Sequence, residues 1–146
     1  MFGMFKNKAR RAAAEMKKVE KRDLMQAIVG GMLLVSAADG EISKAEAAQI
    51  DAQIRANPSM KHFGPEITET INRFTEALEA NFRVGRLQIM REIEDIKNNP
   101  ADAEEVFVNV LGIAEGDGEI DPKEMKVLVE LGQALNQRLK DHGIEA

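Results

Sequence analysis

Apolar residues recur along most of this 146-residue chain at intervals of three and four, the spacing that lays them along one face of a helix. The first such stripe is Phe2, Phe5, Ala9, Ala12, Met16 and Val19, which predicts a helix over Phe5 to Glu20. A second helix is predicted from Asp23 to Ala38, ending at Asp39-Gly40, where glycine supplies the positive φ of a helix stop. Gly30 and Gly31 lie in its middle, lowering helix propensity while permitting a close helix contact. A third helix follows Ser43 and runs to about Ala56, before Asn57-Pro58. After a loop over Ser59 to Pro65, a fourth helix carries Ile67, Ile71, Phe74, Leu78 and Phe82 on one face. A fifth, Val84 to Asn98, uses Leu87, Met90, Ile93 and Ile96. Asn99-Pro100 reads as an N-cap followed by proline in the first turn, opening a sixth helix that runs to about Glu115. A seventh opens at Asp121-Pro122 and passes Leu135; the pattern does not decide whether it reaches Lys140 or breaks near Asn136. The fold class expected is all-α, a compact bundle of about seven helices joined by short turns.

Composition agrees with that pattern. The chain has no Trp or Tyr, and Ala, Glu, Lys, Leu, Gln and Met dominate. Its 44% apolar content is enough for one core, burying roughly two-thirds of the surface of the unfolded chain. The absence of Cys rules out disulfides, thiolate metal sites and a Cys nucleophile. The longest apolar run, Ala27 to Ala38, is too short to span a bilayer. Residues Met1 to Arg11 lack the apolar block of a secretory signal, so a cytoplasmic location is expected.

Charge divides the chain. The net charge of −5 combines two unlike parts: residues 1–22 carry eight Lys or Arg against Glu15 and Glu20, a net of +6, which leaves 12 basic and 23 acidic residues, −11, in the remainder. We therefore divide the chain into a basic amphipathic arm, 1–22, and an acidic helical domain, 23–146. An acidic body repels phosphate, and the arm lacks the interleaved aromatics of base-stacking surfaces, so nucleic acid is not an expected partner. The arm has two readings. Phe2, Met4 and Phe5 with the basic residues suit an anionic membrane surface, giving peripheral contact through residues 1–20; alternatively its Ala-rich stripe packs on the acidic bundle.

Two segments 78 residues apart match. Val35-Ser36-Ala37-Ala38-Asp39-Gly40-Glu41-Ile42-Ser43-Lys44-Ala45-Glu46 aligns with Ile113-Ala114-Glu115-Gly116-Asp117-Gly118-Glu119-Ile120-Asp121-Pro122-Lys123-Glu124. Each is an apolar helix, an Asp-Gly-Glu-Ile connection and a second helix, so the chain holds two related helical hairpins. Helix capping accounts for much of the motif. Ser43 with Glu46, and Asp121 with Glu124, form capping boxes, and Ile42 and Ile120 precede the caps where each can staple the first turn. Asp39, Asp117, Glu41 and Glu119 are left without a required structural task. Carboxylates gathered at tight turns suit a hard cation. The turn Asp-Gly-x-Ile-x-x-x-Glu follows the second half of an EF-hand loop, while the first half is missing: Val35 and Ala37, or Ile113 and Glu115, occupy its ligand positions.

Repeated across an all-helical chain, this Asp-Gly-x-apolar-Ser/Asp-x-x-Glu turn resembles the TerB-like tellurite-resistance family, over about Leu24 to Leu135. The resemblance implies an all-helical bundle with two pseudo-symmetric hairpins. It implies no catalysis, but a part in tellurite resistance and a wider stress or phage-defence response, near the inner membrane with other Ter-system proteins. It also implies a metal site at Asp39, Glu46, Asp117 and Glu124; by their place in the turns Glu41, Glu115, Glu119 and Asp121 are helpers, and Ca²⁺ or another divalent cation is the expected occupant. The opposing reading is a metal-free scaffold whose acidic face docks a basic protein while the arm recruits membrane. No Ser, His and carboxylate order suggests a hydrolase, and His62 and His142 read as a loop residue and a helix-end residue.

Overall fold

The computed structural model describes residue 10 and residues 21–116 and 118–145. Almost the whole of the basic arm, with the helix predicted over Phe5 to Glu20, lies outside the described residues. Those described form six α-helices and no strand: α1 (21–36), α2 (Lys44–Arg55), α3 (Pro65–Ala80), α4 (Phe82–Glu94), α5 (Pro100–Gly116) and α6 (Pro122–Leu135). Short 3₁₀ turns occupy Ala37–Asp39, Lys61–Phe63 and Leu139–His142.

Helix α1 is the axis of the bundle. Its residues Met25, Ala27, Val29, Met32 and Leu33 have no solvent exposure, and Leu24, Ile28, Leu34 and Val35 are also buried. A helix apolar on every side must be enclosed by others, which explains an apolar run that is too short for a bilayer. The glycine pair makes that enclosure close. A Cβ on Gly30 would stand 2.7 Å from Ile89 Cγ2 of α4, and one on Gly31 would stand 2.7 Å from Val110 Cγ2 of α5. At the start of α1, the Arg22 guanidinium donates to both oxygens of Glu66 on α3, at 2.9 and 3.2 Å, tying the helix to its neighbour.

Three helices begin where their caps predict. Glu46 N donates to Ser43 Oγ (3.1 Å) and Ser43 N to Glu46 Oε1 (3.0 Å) at the head of α2. At α6 the same box runs from Glu124 N to Asp121 Oδ1 (2.8 Å) and from Asp121 N to Glu124 Oε1 (3.2 Å). Asn99 Oδ1 accepts from Asp102 N at the head of α5. Ile42 and Ile120 are half-buried against the core together with Ala47 and Met125, the fourth residues of their helices, as a staple requires.

The boundary between α3 and α4 differs from expectation. Asn81 is extended, with φ −159° and ψ 107°, and caps α4 by accepting from Val84 N. The break moves Phe82 off the buried face of α3 into the first turn of α4, where it is 42% exposed. Ile93 and Ile96 are buried as expected, but Leu87, expected with them, is 49% exposed, and Gly85 and Ile89 are buried in its place. Gly85 sets that rotation, because a Cβ there would lie 2.7 Å from Ala77 C and Leu78 N. Helix α6 ends at Asn136, which adopts the left-handed conformation (φ 56°). The chain then turns into the 3₁₀ segment, burying Leu139 and placing His142 edge-on to Phe107, so the bundle closes with a short helical cap.

Candidate metal centre

The two Asp-Gly turns share their backbone geometry. Gly40 and Gly118 have φ of +101° and +105°, in the region L side chains rarely enter, and each amide donates to a carbonyl three residues back, Gly40 to Ala37 (2.8 Å) and Gly118 to Glu115 (3.1 Å). Each turn then passes through a glutamate and a half-buried isoleucine into a capping box. The repeated sequence thus makes a repeated structure.

The turns face one another. Asp39 and Glu46 from the first, and Glu119, Asp121 and Glu124 from the second, line a single cleft of about 310 Å³, walled also by Val35 and Ser36 at the end of α1 and by Ala38 in the turn that follows. Asp39, Glu119 and Asp121 are exposed, and Glu46 and Glu124 half-buried. Asp117 lies outside the described residues. Glu41 lines the neighbouring hollow with Gly40, Ile42, Leu78 and Phe82 instead, and Glu115 is exposed without lining the cleft.

Part of this negative charge is already matched. Helices α2 and α6 both open onto the cleft, and their N-terminal amides favour carboxylates. Glu46, Asp121 and Glu124 are engaged in that way, and the Asp121 carboxyl is held below its ordinary range, chiefly by the Glu124 amide and further by the Glu124 side chain and by the amide and charge of Lys123. Asp39, read from the sequence as unoccupied, has a local task as well: its Oδ1 accepts from Glu41 N at 3.2 Å. Glu119 makes no hydrogen bond or ion pair among the described residues.

The donor set is wholly oxygen, which fits a hard cation such as Ca²⁺, Mg²⁺ or Mn²⁺. Each capping bond engages a carboxylate oxygen of the cleft, and a carboxylate oxygen has more than one lone pair to offer. Among the described residues no three carboxylates or histidines are grouped closely enough to hold a metal ion, so the cleft gathers donors without a finished cage. Neither histidine lines it: His62 stacks on Phe63, and His142 hydrogen-bonds Gln137 at 3.0 Å. Ser36 is a lining residue that sequence reading passed over, since within the repeat it reads only as one more position of α1.

A family model described as Tellurite resistance protein TerB matches residues 25–143. The chain belongs to the TerB family. No curated protein and no solved structure matches it. The TerB match spans both acidic turns and the helices between them, so the repeated hairpins lie inside the family's domain. No described helix of this TerB-family chain is long and apolar enough to cross a membrane.

Proposed function

We propose that this TerB-family chain is a non-enzymatic binding module that holds a divalent cation between its two acidic turns and acts in tellurite resistance or a related stress or phage-defence response. The observation that supports it is the shared cleft: five carboxylates from turns 78 residues apart in sequence line one space. Like charges so gathered raise the energy of the folded chain, and a cation entering between them relieves that cost. Asp39 and Glu119 would carry most of the attraction, since the other three serve helix caps, and Asp117 would join them from the second turn. When bound, the cation would supply charge neutralisation and a cross-link between the two hairpins. The partner of such a module is a Ter-system or membrane-associated protein in the cytoplasm or at the inner membrane, with residues 1–20 as the membrane contact.

A second reading keeps the cleft and changes its occupant. Because no three described carboxylates converge as ligands, a lysine or arginine of a basic protein suits the same space, and the chain is then a metal-free scaffold. Calorimetric titration with Ca²⁺, Mg²⁺, Mn²⁺ and Zn²⁺ separates the two. We expect heat with at least one oxygen-preferring cation and at least tenfold weaker binding in Asp39→Asn with Glu119→Gln, a pair that spares both capping boxes. No heat from any of the four at millimolar concentration overturns the cation reading and leaves the scaffold.

A further inference from the structure

A second cleft, of about 270 Å³, opens between the end of α1, α4 and α6. Its floor and walls are apolar: Leu34 and Leu131 are buried, Met90 and Val127 half-buried, and Phe82 stands 42% exposed at the edge. Ala38, Arg86, Lys123 and Lys126 complete the lining, against one carboxylate, Glu130. That carboxylate is already occupied, since Arg86 Nη2 donates to its Oε2 at 2.6 Å. Lys123 and Lys126 are exposed and enter no ion pair among the described residues. In a region whose net charge is −11, a cleft lined by three cations and one neutralised carboxylate is a local reversal of sign.

We propose that this cleft binds a small amphipathic carboxylate, a single acyl chain whose tail lies on Leu34, Met90, Val127 and Leu131 and whose head group meets Lys123 and Lys126. An apolar floor contributes burial without direction, and the two ammonium groups select a negative end. Size limits the tail. The cleft falls below the ~300–1,000 Å³ of drug-sized sites, and at roughly 30 Å³ per methylene, about the share of one water in the liquid, it takes a chain of about nine carbons. Phe82 also receives a role, since its exposed ring forms a wall of the space the tail would fill. The proposal does not depend on a cation at the acidic turns.

The test compares octanoate, octylammonium and 1-octanol, which share a tail and differ in head group, in the presence of EDTA. Binding to the full chain is followed by the ¹³C-methyl resonance of Met90, assigned with Met90→Leu. We expect octanoate to shift that resonance and to bind at least tenfold more tightly than octanol, with no binding of octylammonium. Lys123→Glu with Lys126→Glu should abolish the octanoate shift, and Lys123→Gln with Lys126→Gln should weaken it at least fivefold; dispersed methionine signals from the rest of the core report that either variant is folded. Equal affinity for all three probes, an unmoved Met90 resonance, or octanoate binding unchanged in the folded glutamine variant overturns the proposal.

Discussion

Replacing Gly85 by Ala tests the close crossing of α3 and α4, the helix that lends Arg86 and Met90 to the cationic cleft. A Cβ at residue 85 would lie 2.7 Å from Ala77 C, 2.7 Å from Leu78 N and 2.8 Å from Ala77 O, all atoms of the α3 backbone. No side chain can rotate away, so α4 must move off α3 by several tenths of an ångström along its buried face. Ile89 and Ile93 follow on that face, both without solvent exposure, and Ile89 also meets α1 at Gly30. Overpacking of this kind costs about 1–3 kcal/mol, and a rigid backbone neighbour places the site at the top of that range. Alanine recovers about 1 kcal/mol of helix propensity, leaving a net loss of about 2 kcal/mol. For a chain of this size that is a fall in Tm of about 4–8 °C. With no Trp or Tyr, the measurement is thermal or urea unfolding followed by circular dichroism at 222 nm. Gly116→Ala is the control, because a Cβ there meets nothing within 4 Å and no positive φ is at stake, so stability should hold or rise slightly. A Gly85→Ala protein as stable as the wild type would refute the close crossing.

Three further outcomes follow from the turns and the helix pair beside them. Ser43→Ala removes the hydroxyl that accepts from Glu46 N and should cost about 1 kcal/mol, read as a Tm lower by about 2–4 °C. Glu92 has its carboxyl raised above the ordinary range, first by burial and further by Asp23 and Asp95, with Arg73 opposing. A raised carboxylate penalises the ionised folded state above that raised value, and the penalty fades as pH falls toward the ordinary range. Glu92→Gln should therefore stabilise the chain at pH 7, with the gain shrinking in urea titrations at lower pH. Asp121 has the opposite sign: its lowered carboxyl contributes stability that is present above the ordinary range and lost as pH falls through the depressed value. Because the Lys123 charge helps depress it, Lys123→Gln should move acid unfolding, followed by circular dichroism, to higher pH.

The positions legible in the sequence were those fixed by local chemistry. Lys44, Pro100 and Pro122 begin their helices because Ser43, Asn99 and Asp121 each offer an oxygen to an amide two or three residues ahead, a rule that needs no knowledge of the rest of the fold. The match between the two turns was legible for the same reason, down to the left-handed Gly40 and Gly118. What failed depended on tertiary approach. The stripe of Ile67, Ile71, Phe74, Leu78 and Phe82 runs on past Asn81, yet Asn81 is extended, and α4 turns about its axis until Gly85 meets α3. That rotation carries Leu87 to solvent and brings Ile89 inside. The local task of Asp39 was missed because an aspartate that accepts from the amide two residues on has the same sequence as one that does not. The cationic cleft left no pattern, since Arg86 is 37 residues from Lys123 and only folding brings them together.

That folding gives the start of α6 an unusual position. Successive residues of a helix point about 100° apart, so positions 121 and 124 fall near one side while 123, 126 and 127 fall on another. Asp121 and Glu124 line the acidic cleft, and Lys123, Lys126 and Val127 line the cationic one. Ala38, in the 3₁₀ turn that follows α1, lines both, so the two spaces are neighbours. Lys123, on the cationic side, is the last and smallest of the influences that hold the Asp121 carboxyl low, a link in charge between the two sides. Each cleft therefore tempers its neighbour: the lysines moderate the repulsion among the carboxylates, and the carboxylates reduce the pull of the lysines on an anion. A charge added to or removed from one side should change the affinity of the other in a direction fixed by Coulomb's law, and because Asp121, Lys123 and Lys126 are exposed, added salt should screen the effect. The repeated acidic turn and the reversed-sign cleft are thus two faces of one helix start, and the two copies of the motif differ there, since Lys123 lines the cationic cleft while Ala45, its counterpart in the first copy, does not.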